Sequence, residues 1–495
     1  MVDISIENRN CKLTSEQIYE EAFQKTGHGR YNYLVLLACS VIINAVALDM
    51  FGFSVVIAAS SCDLQLSIAQ TGILAAAPFI GILFAYPWGY FADTRGRRRA
   101  LLLSTSVGFV FGVLCSLSID WRMMLALKII GCAFSTASFT LSMTYLGENT
   151  ASRYRDRYLF IINGMNLSSE IVSFGLAYLI LPISLGVTIP WLSITFTSWR
   201  LFSLTLTLPL GVSAILLTFL YESPKFLASK GEEEKALRVM ENIYIMNGGT
   251  KGQFPIKSLE VMKNSETNVK ISFWGSIGRQ TLPLFTPPRL WRTIQLFFLI
   301  SLVCAINNVF VMWFPTMLDI YFKSVSSNEE TGFCDNIKSA ARNHEAGNST
   351  LSCQQPITDN TLYSGILTGL FFTILNLFAA AIASWRRSTL IAAFSVAFIS
   401  CIMVCVLKTP LASVIFFALI QTTAIGIGSI ASYFVDLYPT SYRGLATSLG
   451  FMVARMTTFT GVVVVGSTIV QHCQFVFYLS AALSLSGICV TMFLP

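Results

Sequence analysis

Long apolar runs separated by short polar bursts make up most of this chain. Runs of about 20 mostly apolar residues, the length a helix needs to cross a ~30 Å hydrocarbon core, lie near 33–58, 70–92, 100–118, 122–145, 158–182 and 200–221. A second set lies near 293–321, 362–383, 389–406, 411–437, 445–469 and 473–494. The pattern predicts six spanning helices, a polar stretch of about 70 residues, and six more. Pro and Gly inside 70–92 and 362–383 are absorbed in a bundle, where neighbouring helices re-satisfy the backbone. Two shorter helices are expected in polar segments. Thr14-x-x-Gln17 is a capping box, and the run from Glu232 to Glu241 has the period of an amphipathic helix.

Composition supports the same picture. Of 495 residues 54% are hydrophobic and only 12% charged, about half the charge of a soluble domain. One giant soluble core is excluded, because cores stop growing near ~250–300 residues and chains then split into domains with polar surfaces. The net charge of +7 sits in short clusters between apolar runs. That pattern sets membrane orientation rather than a nucleic-acid stripe. There is no CxxC pair, and there are only three histidines, His28, His344 and His472. No metal, no cofactor and no enzyme activity are expected, and no filter repeat points to a channel. Residues 1–32 are polar, so the first span is expected to act as the targeting segment. A cytosolic tail carrying sorting signals is expected to be missing after Met492-Phe-Leu-Pro495.

Lys and Arg give the orientation. Of 33, 25 fall on the side of the N-terminal tail, the 93–99 loop and the 222–292 stretch; six fall on the other side (Arg122, Arg200, Lys323, Lys338, Arg342 and Lys408). Both termini are therefore expected in the cytosol. The sequon at Asn348 and the cysteines Cys334 and Cys353 then lie together in the outer 322–361 loop, where glycosylation and a disulfide are both allowed. A Cys334–Cys353 bridge is expected, with Cys62 as a third candidate.

The halves repeat. Tyr145-Leu-Gly-Glu148 with Tyr154-Arg155 matches Tyr433-Phe-Val-Asp436 with Tyr442-Arg443 at an offset of 288, and the same shift carries Arg98-Arg99 onto Arg386-Arg387. Parallel six-helix repeats mark transporters whose site lies between two halves. The segments expected are a cytosolic N-terminus 1–32, a six-helix bundle 33–221, a cytosolic linker 222–290 and a second bundle 291–495.

The sharpest motif is Gly89-Tyr-Phe-Ala-Asp93-Thr-Arg-Gly96-Arg97-Arg98-Arg99. Its glycines suit a tight helix–loop turn, and Asp93 is placed to pair with the arginines. In this motif the chain resembles the major facilitator superfamily. The resemblance implies an all-α membrane protein of the major facilitator fold, with 12 transmembrane helices in two pseudo-symmetric six-helix bundles and alternating access. It also implies that Asp93 and Arg97 latch the cytosolic gate. Phe23 to Tyr31, Trp199-Arg200, Glu222-Ser-Pro224-Lys225, Met312-Trp313-Phe314-Pro315 and Tyr438 to Gly444 are similar to the organic-ion transporter group. Leu48-Asp49 with Cys62-Asp63-Leu64 most resembles the synaptic vesicle glycoprotein 2-like branch, in an insect-like form with a short outer loop. Departures are the decayed Ser384-Trp385-Arg386-Arg387 in the second half and Lys128 where the family has arginine.

Ionisable residues inside spans cost about 2.5–3.5 kcal/mol or more at the bilayer centre unless they face a cavity or a partner. Here these are Asp49, Lys128, Glu170 and Arg455. Arg455 is expected to supply a counter-charge to the solute, with Asp49 as its partner when the site is empty. Lys128 and Glu170 are separated axially by ~9 Å at 1.5 Å per residue. They are expected to form a static pair across consecutive helices, proton coupling through Glu170 being the alternative. Asn307-Asn308 and Gln421 are expected to bond across helices, with Asn307 also a candidate contact to solute. Trp313 is expected as an interfacial belt residue. Glu148/Arg155 and Asp436/Arg443 are expected as inner charge networks that break when the gate opens. The expected function is carriage of a small organic solute, anion or zwitterion favoured, by a monomer in a plasma or vesicle membrane. The alternative is a non-transporting vesicle-glycoprotein-like receptor or trafficking partner.

Overall fold

The structure, a computed structural model, describes residues 15–81, 85–190, 194–256, 284–287, 290–325, 332–345, 357–381, 385–438 and 440–494. Asn348 and Cys353 lie outside these residues, and the side chains of Asp436 and Arg443 are not described.

The apolar runs are helical because lipid offers no partner to a backbone N–H or C=O, so each must be bonded within its own segment. A short helix α1 (Ser15–Gln24) precedes the first crossing, α2 (Arg30–Met50) and α3 (Phe53–Ser60). The second crossing is α4 (Ile68–Ile80) and α5 (Ala85–Arg95), and the third is α6 (Arg97–Ser116). The fourth is α7 (Trp121–Ser135) and α8 (Ala137–Glu148), and the fifth is α9 (Ser152–Leu167) and α10 (Ser169–Ile180). An antiparallel hairpin, β1 (Gly186–Ile189) against β2 (Ile194–Thr197), leads into the sixth, α11 (Ser198–Thr218). This hairpin lies in a connection that the apolar pattern left without structure.

Two linker helices follow, α12 (Pro224–Ser229) and α13 (Glu233–Met246), the second lying where the amphipathic period placed it. The second half consists of α14 (Leu290–Val325), α15 (Phe333–Glu345), α16 (Asp359–Ala381), α17 (Arg386–Val406), α18 (Pro410–Leu419), a 3-10 turn (Ile420–Thr423), α19 (Ala424–Leu437) and α20 (Thr440–Thr491). Among the described residues nine helical stretches are long and apolar enough to cross a membrane. One of them, α20, is long enough for two passes at ~1.5 Å per residue and leaves helical geometry at His472 (φ −127°, ψ 45°). The second pass, the broken α4/α5 crossing and α16 bring the crossings to twelve.

The 322–361 segment, expected as an outer loop, is not a plain loop. Helix α15 lies in it, with Phe333 and Ile337 buried, packed chiefly on α14 and α20 and also on α17. Cys334, in its first turn, is bonded to Cys473, at a Cα–Cα distance of 5.6 Å. This corrects the expected Cys334–Cys353 bridge. Helix α15 carries Cys334 over the turn between the last two crossings, and Cys473 stands at that turn rather than inside a span. Cys62 is also disulfide-bonded.

The linker is fastened to the first half. The Asn247 side chain accepts from the Tyr31 amide at 3.1 Å and donates to the Thr26 and Gly27 carbonyls, each at 3.2 Å. The two halves meet most extensively where α4 packs on α20, α10 on α16 and α3 on α14.

Candidate functional site

A crevice opens between the halves. From the first half α10 gives Glu170, Ser173 and Phe174, and the α2/α3 break gives Phe51 and Gly52. From the second half α14 gives Val311 and Phe314, α16 gives Gly365 and Thr368, and the 3-10 turn gives Gln421. It encloses about 340 Å³ of empty space, part of it continuous with solvent. Little of that space is wide enough for a water molecule in this state.

Three of the walls are places where a helix breaks in mid-span. The first crossing is interrupted at Phe51 and Gly52, the fifth at Ser168, and the tenth by the 3-10 turn. Irregular backbone at membrane depth is tolerated where it lines a cavity rather than lipid. Gly52 is required by crowding. A Cβ there would stand 2.5 Å from the Leu48 carbonyl oxygen and 3.0 Å from the Ser173 hydroxyl.

Just before the first break, Asp49 is sealed inside its own bundle. Lys128 Nζ lies 2.6 Å from Asp49 Oδ1 and donates also to the Asp49 carbonyl at 2.5 Å. Ser135 donates to Oδ2 at 2.9 Å, and the Phe53 ring centroid is 4.4 Å from the ammonium. The pair is about 6% exposed, so its charges are held by each other and by fixed donors. Two expectations are corrected here. Asp49 is not the partner of Arg455, and Lys128 does not reach Glu170. Asp49 and Lys128 face each other across neighbouring helices of one bundle, which is nearer than either expected partner.

Glu170 is left alone as a result. Its carboxylate has no hydrogen-bond or ion-pair partner among the described residues. One turn along α10, the buried Ser173 hydroxyl also lacks a partner, and both face the crevice. Gln421, in the far wall, is 3% exposed. Arg455 is half-buried, has no partner among the described residues, and lies beside the Cys304 thiol of α14. It is not among the residues lining the crevice. Asn307 donates to Asn308 on the same helix at 2.9 Å, and its own buried carbonyl oxygen is unpartnered. The expected bond across helices is therefore replaced by a bond between chain neighbours.

At the basic end, the contacts of Asp93, Arg97 and Arg98 among the described residues are made with the first half and the start of the linker. Arg97 bridges Asp93 at 2.8 Å and Glu148 at 3.2 Å, and lies over the Phe226 ring. Arg98 donates to the Leu217 and Thr218 carbonyls, each at 2.9 Å, so it caps the end of α11. Gly96 has φ 108°, and a Cβ there would meet the Glu222 carboxylate at 2.4 Å. Gly89 is different: its Cβ position is open, so it makes no close approach. Arg155 pairs with Glu20 of α1 at 3.1 Å, not with Glu148, because Arg97 already occupies Glu148. His28 stacks on Tyr154 with ring centroids 4.0 Å apart and meets the Tyr158 hydroxyl at 3.2 Å. Partial burial lowers its pKa from the ordinary value of 6.5.

At the opposite end two motifs named separately in the sequence come together. Asp63 accepts from Trp199 Nε1 at 2.8 Å and stands 3.6 Å from Arg200. The seam between halves at this end was not foreseen. Ideal Cβ atoms on Gly72 of α4 and Gly466 of α20 would each stand 2.9 Å from the other residue's Cα. Trp313 closes over both and donates to the Val462 carbonyl at 3.2 Å. It is 1% exposed, which corrects its expected place in an interfacial belt. Gly365 and Gly369 of α16 form a second groove, taking Phe174 and the α10 backbone at Ile171. The Gly-x-x-x-Gly spacing is a sign of such close helix packing in the sequence.

Residues 37–329 match the Major Facilitator Superfamily. The chain is 25% identical over 279 residues to synaptic vesicle glycoprotein 2C from Mus musculus, covering 54% of this chain and 38% of that protein. It is 24% identical over 324 residues to synaptic vesicle glycoprotein 2A from Rattus norvegicus, covering 61% and 44%. The match thus spans about two fifths of the length of these relatives. The fold is similar to that of the xylose transporter XylE from E. coli in an inward open conformation, with a TM-score of 0.67 at 14% identity, covering 94% of this chain and 97% of that one. A partially occluded inward open form of the same transporter gives a TM-score of 0.65.

Proposed function

This chain belongs to the major facilitator superfamily, its twelve helices forming the fold of that family, and we propose that it carries a small organic solute across its membrane by alternating access. One observation carries the proposal: polar groups without partners line a crevice formed jointly by both halves. A carboxylate left uncompensated in low dielectric costs several kcal/mol, which is tolerated where the group meets water and a passing ligand. Glu170 and Ser173 lie in that wall. In the second half Arg455 and the Asn307 carbonyl oxygen also lack partners among the described residues, but both lie outside that lining. The free acid in that wall favours a solute that bears a positive charge, a zwitterion over a simple anion.

The arrangement of the ends supports alternating access. The halves are pressed together at the Gly72–Gly466 and Gly365/Gly369 seams. At the basic end Asp93, Arg97, Arg98, Glu148 and Arg155 are satisfied within the first half, so parting from the second half breaks none of these contacts. Gating there rests on the first half moving as a unit, with the linker fastened to it. Both termini lie in the cytosol in this reading, and the Cys334–Cys473 bridge on the opposite face agrees with an oxidising compartment.

Uptake by proteoliposomes of a panel of zwitterions, organic cations, organic anions and sugars tests the proposal. Saturable uptake of at least one solute is expected, and the Arg455→Asp change is expected to alter which charge class is taken up. Absence of uptake for the whole panel overturns carriage and leaves a receptor or trafficking role. Unchanged selectivity in Arg455→Asp removes that arginine from the site.

A further inference from the structure

We propose that Glu170 is the group at which a positively charged part of the solute and a proton exclude one another, so that each cationic group entering the crevice displaces one proton. The inference rests on the carrier reading and adds the charge class and the coupling.

Consider what surrounds the carboxylate. Phe51, Phe174 and Phe314 bring three aromatic rings to the same crevice, and Ser173 brings a hydroxyl with no partner. Phe174 and Phe314 meet edge to face, their centroids 6.1 Å apart. Aromatic faces attract cations, and do so more strongly where water is scarce. An acid flanked by rings, with no cation of its own, matches a quaternary or protonated amine and repels an anion.

Among the described residues the neighbouring helices supply no fixed counter-charge. Helix α10 packs against α2, α3, α9, α11 and α16. Helix α2 presents Asp49, taken by Lys128, and α3 has no ionisable residue. On α9, Arg153, Arg155, Asp156 and Arg157 stand 13 or more residues before Glu170, about 20 Å along the axis. Arg200 of α11 is at the far end, held by Asp63. Asp359 and Tyr363 of α16, with Tyr178 of α10 itself, also lie toward that end. Glu170 approaches α16 at Gly369, where a Cβ would meet its Cβ at 3.2 Å. A charged Glu170 therefore needs an arriving cation, and without one it is neutral by holding a proton. The exchange is balanced: the proton leaves the carboxyl oxygen as the cation arrives, and the site stays neutral throughout.

The purified full-length chain tests this with N-methyl-4-phenylpyridinium, tetraethylammonium and glycine betaine, whose quaternary nitrogens stay charged at every pH. 3-Phenylpropionate serves as the anion. At pH 8 at least one quaternary probe should raise the Tm, and at least tenfold more of it should be needed at pH 5.5. Glu170→Gln should abolish the response at both pH values, while Glu170→Asp keeps a weaker one and separates loss of charge from loss of fold. The inference is overturned if no quaternary probe stabilises the chain, if Glu170→Gln responds as the parent does, or if the response ignores pH. Flux separates the two readings. A Glu170-dependent shift without uptake of any solute sinks carriage alone, and uptake without that shift sinks the inference alone.

Discussion

Asp49 and Glu170 are two acids within crossings that pack on each other, and the structure treats them in opposite ways. Asp49 has a lysine at 2.6 Å and a serine hydroxyl at 2.9 Å, all from its own bundle. Glu170 has no partner among the described residues and faces the other bundle. The difference is one of direction. An acid turned into its own bundle can be matched by fixed residues, whereas one turned toward the seam is matched only by what enters. The first kind holds a half rigid; the second is available for binding.

The sharpest way to break this comparison is to remove the lysine. Lys128→Met strands a buried carboxylate and should cost about 3–5 kcal/mol, seen as a large fall in Tm. Adding Asp49→Asn should restore much of it, whereas Glu170→Gln alone should leave Tm nearly unchanged. Equal losses for Lys128→Met and Glu170→Gln would erase the distinction. Next in size is the seam that turns Glu170 toward α16. Gly369→Leu forces a side chain against Ile171 and Glu170 and should cost about 1–3 kcal/mol by overpacking, with uptake lost. A variant that transports normally would show that the halves do not depend on that contact.

Arg97→Ala should be milder. The side chains of Arg97 and Glu148 are 16% and 14% exposed, and the loss should be about 1 kcal/mol, weakening as salt rises. The smallest effect is at His28. Its pKa is depressed by partial burial, so the folded chain resists the proton. The stability it contributes is present above the ordinary 6.5 and is lost as pH falls below that value. Between pH 7.5 and 5.5 the parent should therefore lose more Tm than His28→Phe. Identical losses would mean that the stacking on Tyr154 does not discriminate between the two forms of the ring.

What could be read in the sequence follows the same division. Span positions, the repeat and the family were legible because lipid imposes length and apolarity on each segment separately. Asp49, Lys128, Glu170 and Arg455 were visible as charges in oil, but their pairing was not, because it depends on how each helix is rotated about its axis. The Asp49–Arg455 and Lys128–Glu170 expectations failed for that reason. So did Glu148–Arg155, since Arg97 reaches Glu148 from the first turn of α6. Cys473 looked like a span cysteine because it opens the last apolar run, directly after the short polar break at Gln471-His472. Gly72 and Gly466 gave little sign, since a glycine needed for a close approach looks the same in sequence as one tolerated in a bundle. Gly365 and Gly369 did give a sign, in their spacing.

The central claim, a crevice between two halves that opens to one side of the membrane and takes up solute, is tested most directly by adjacent positions on α16. Thr368 lines the crevice, whereas its neighbour Leu367 is 65% exposed on the outside of the bundle. Each is replaced by cysteine in a background lacking the free cysteines but keeping Cys62, Cys334 and Cys473. A membrane-impermeant maleimide should label Thr368→Cys from the inner side, with solute slowing it, and should leave Leu367→Cys untouched in lipid. Failure to label Thr368→Cys from either side, with or without solute, would contradict the account.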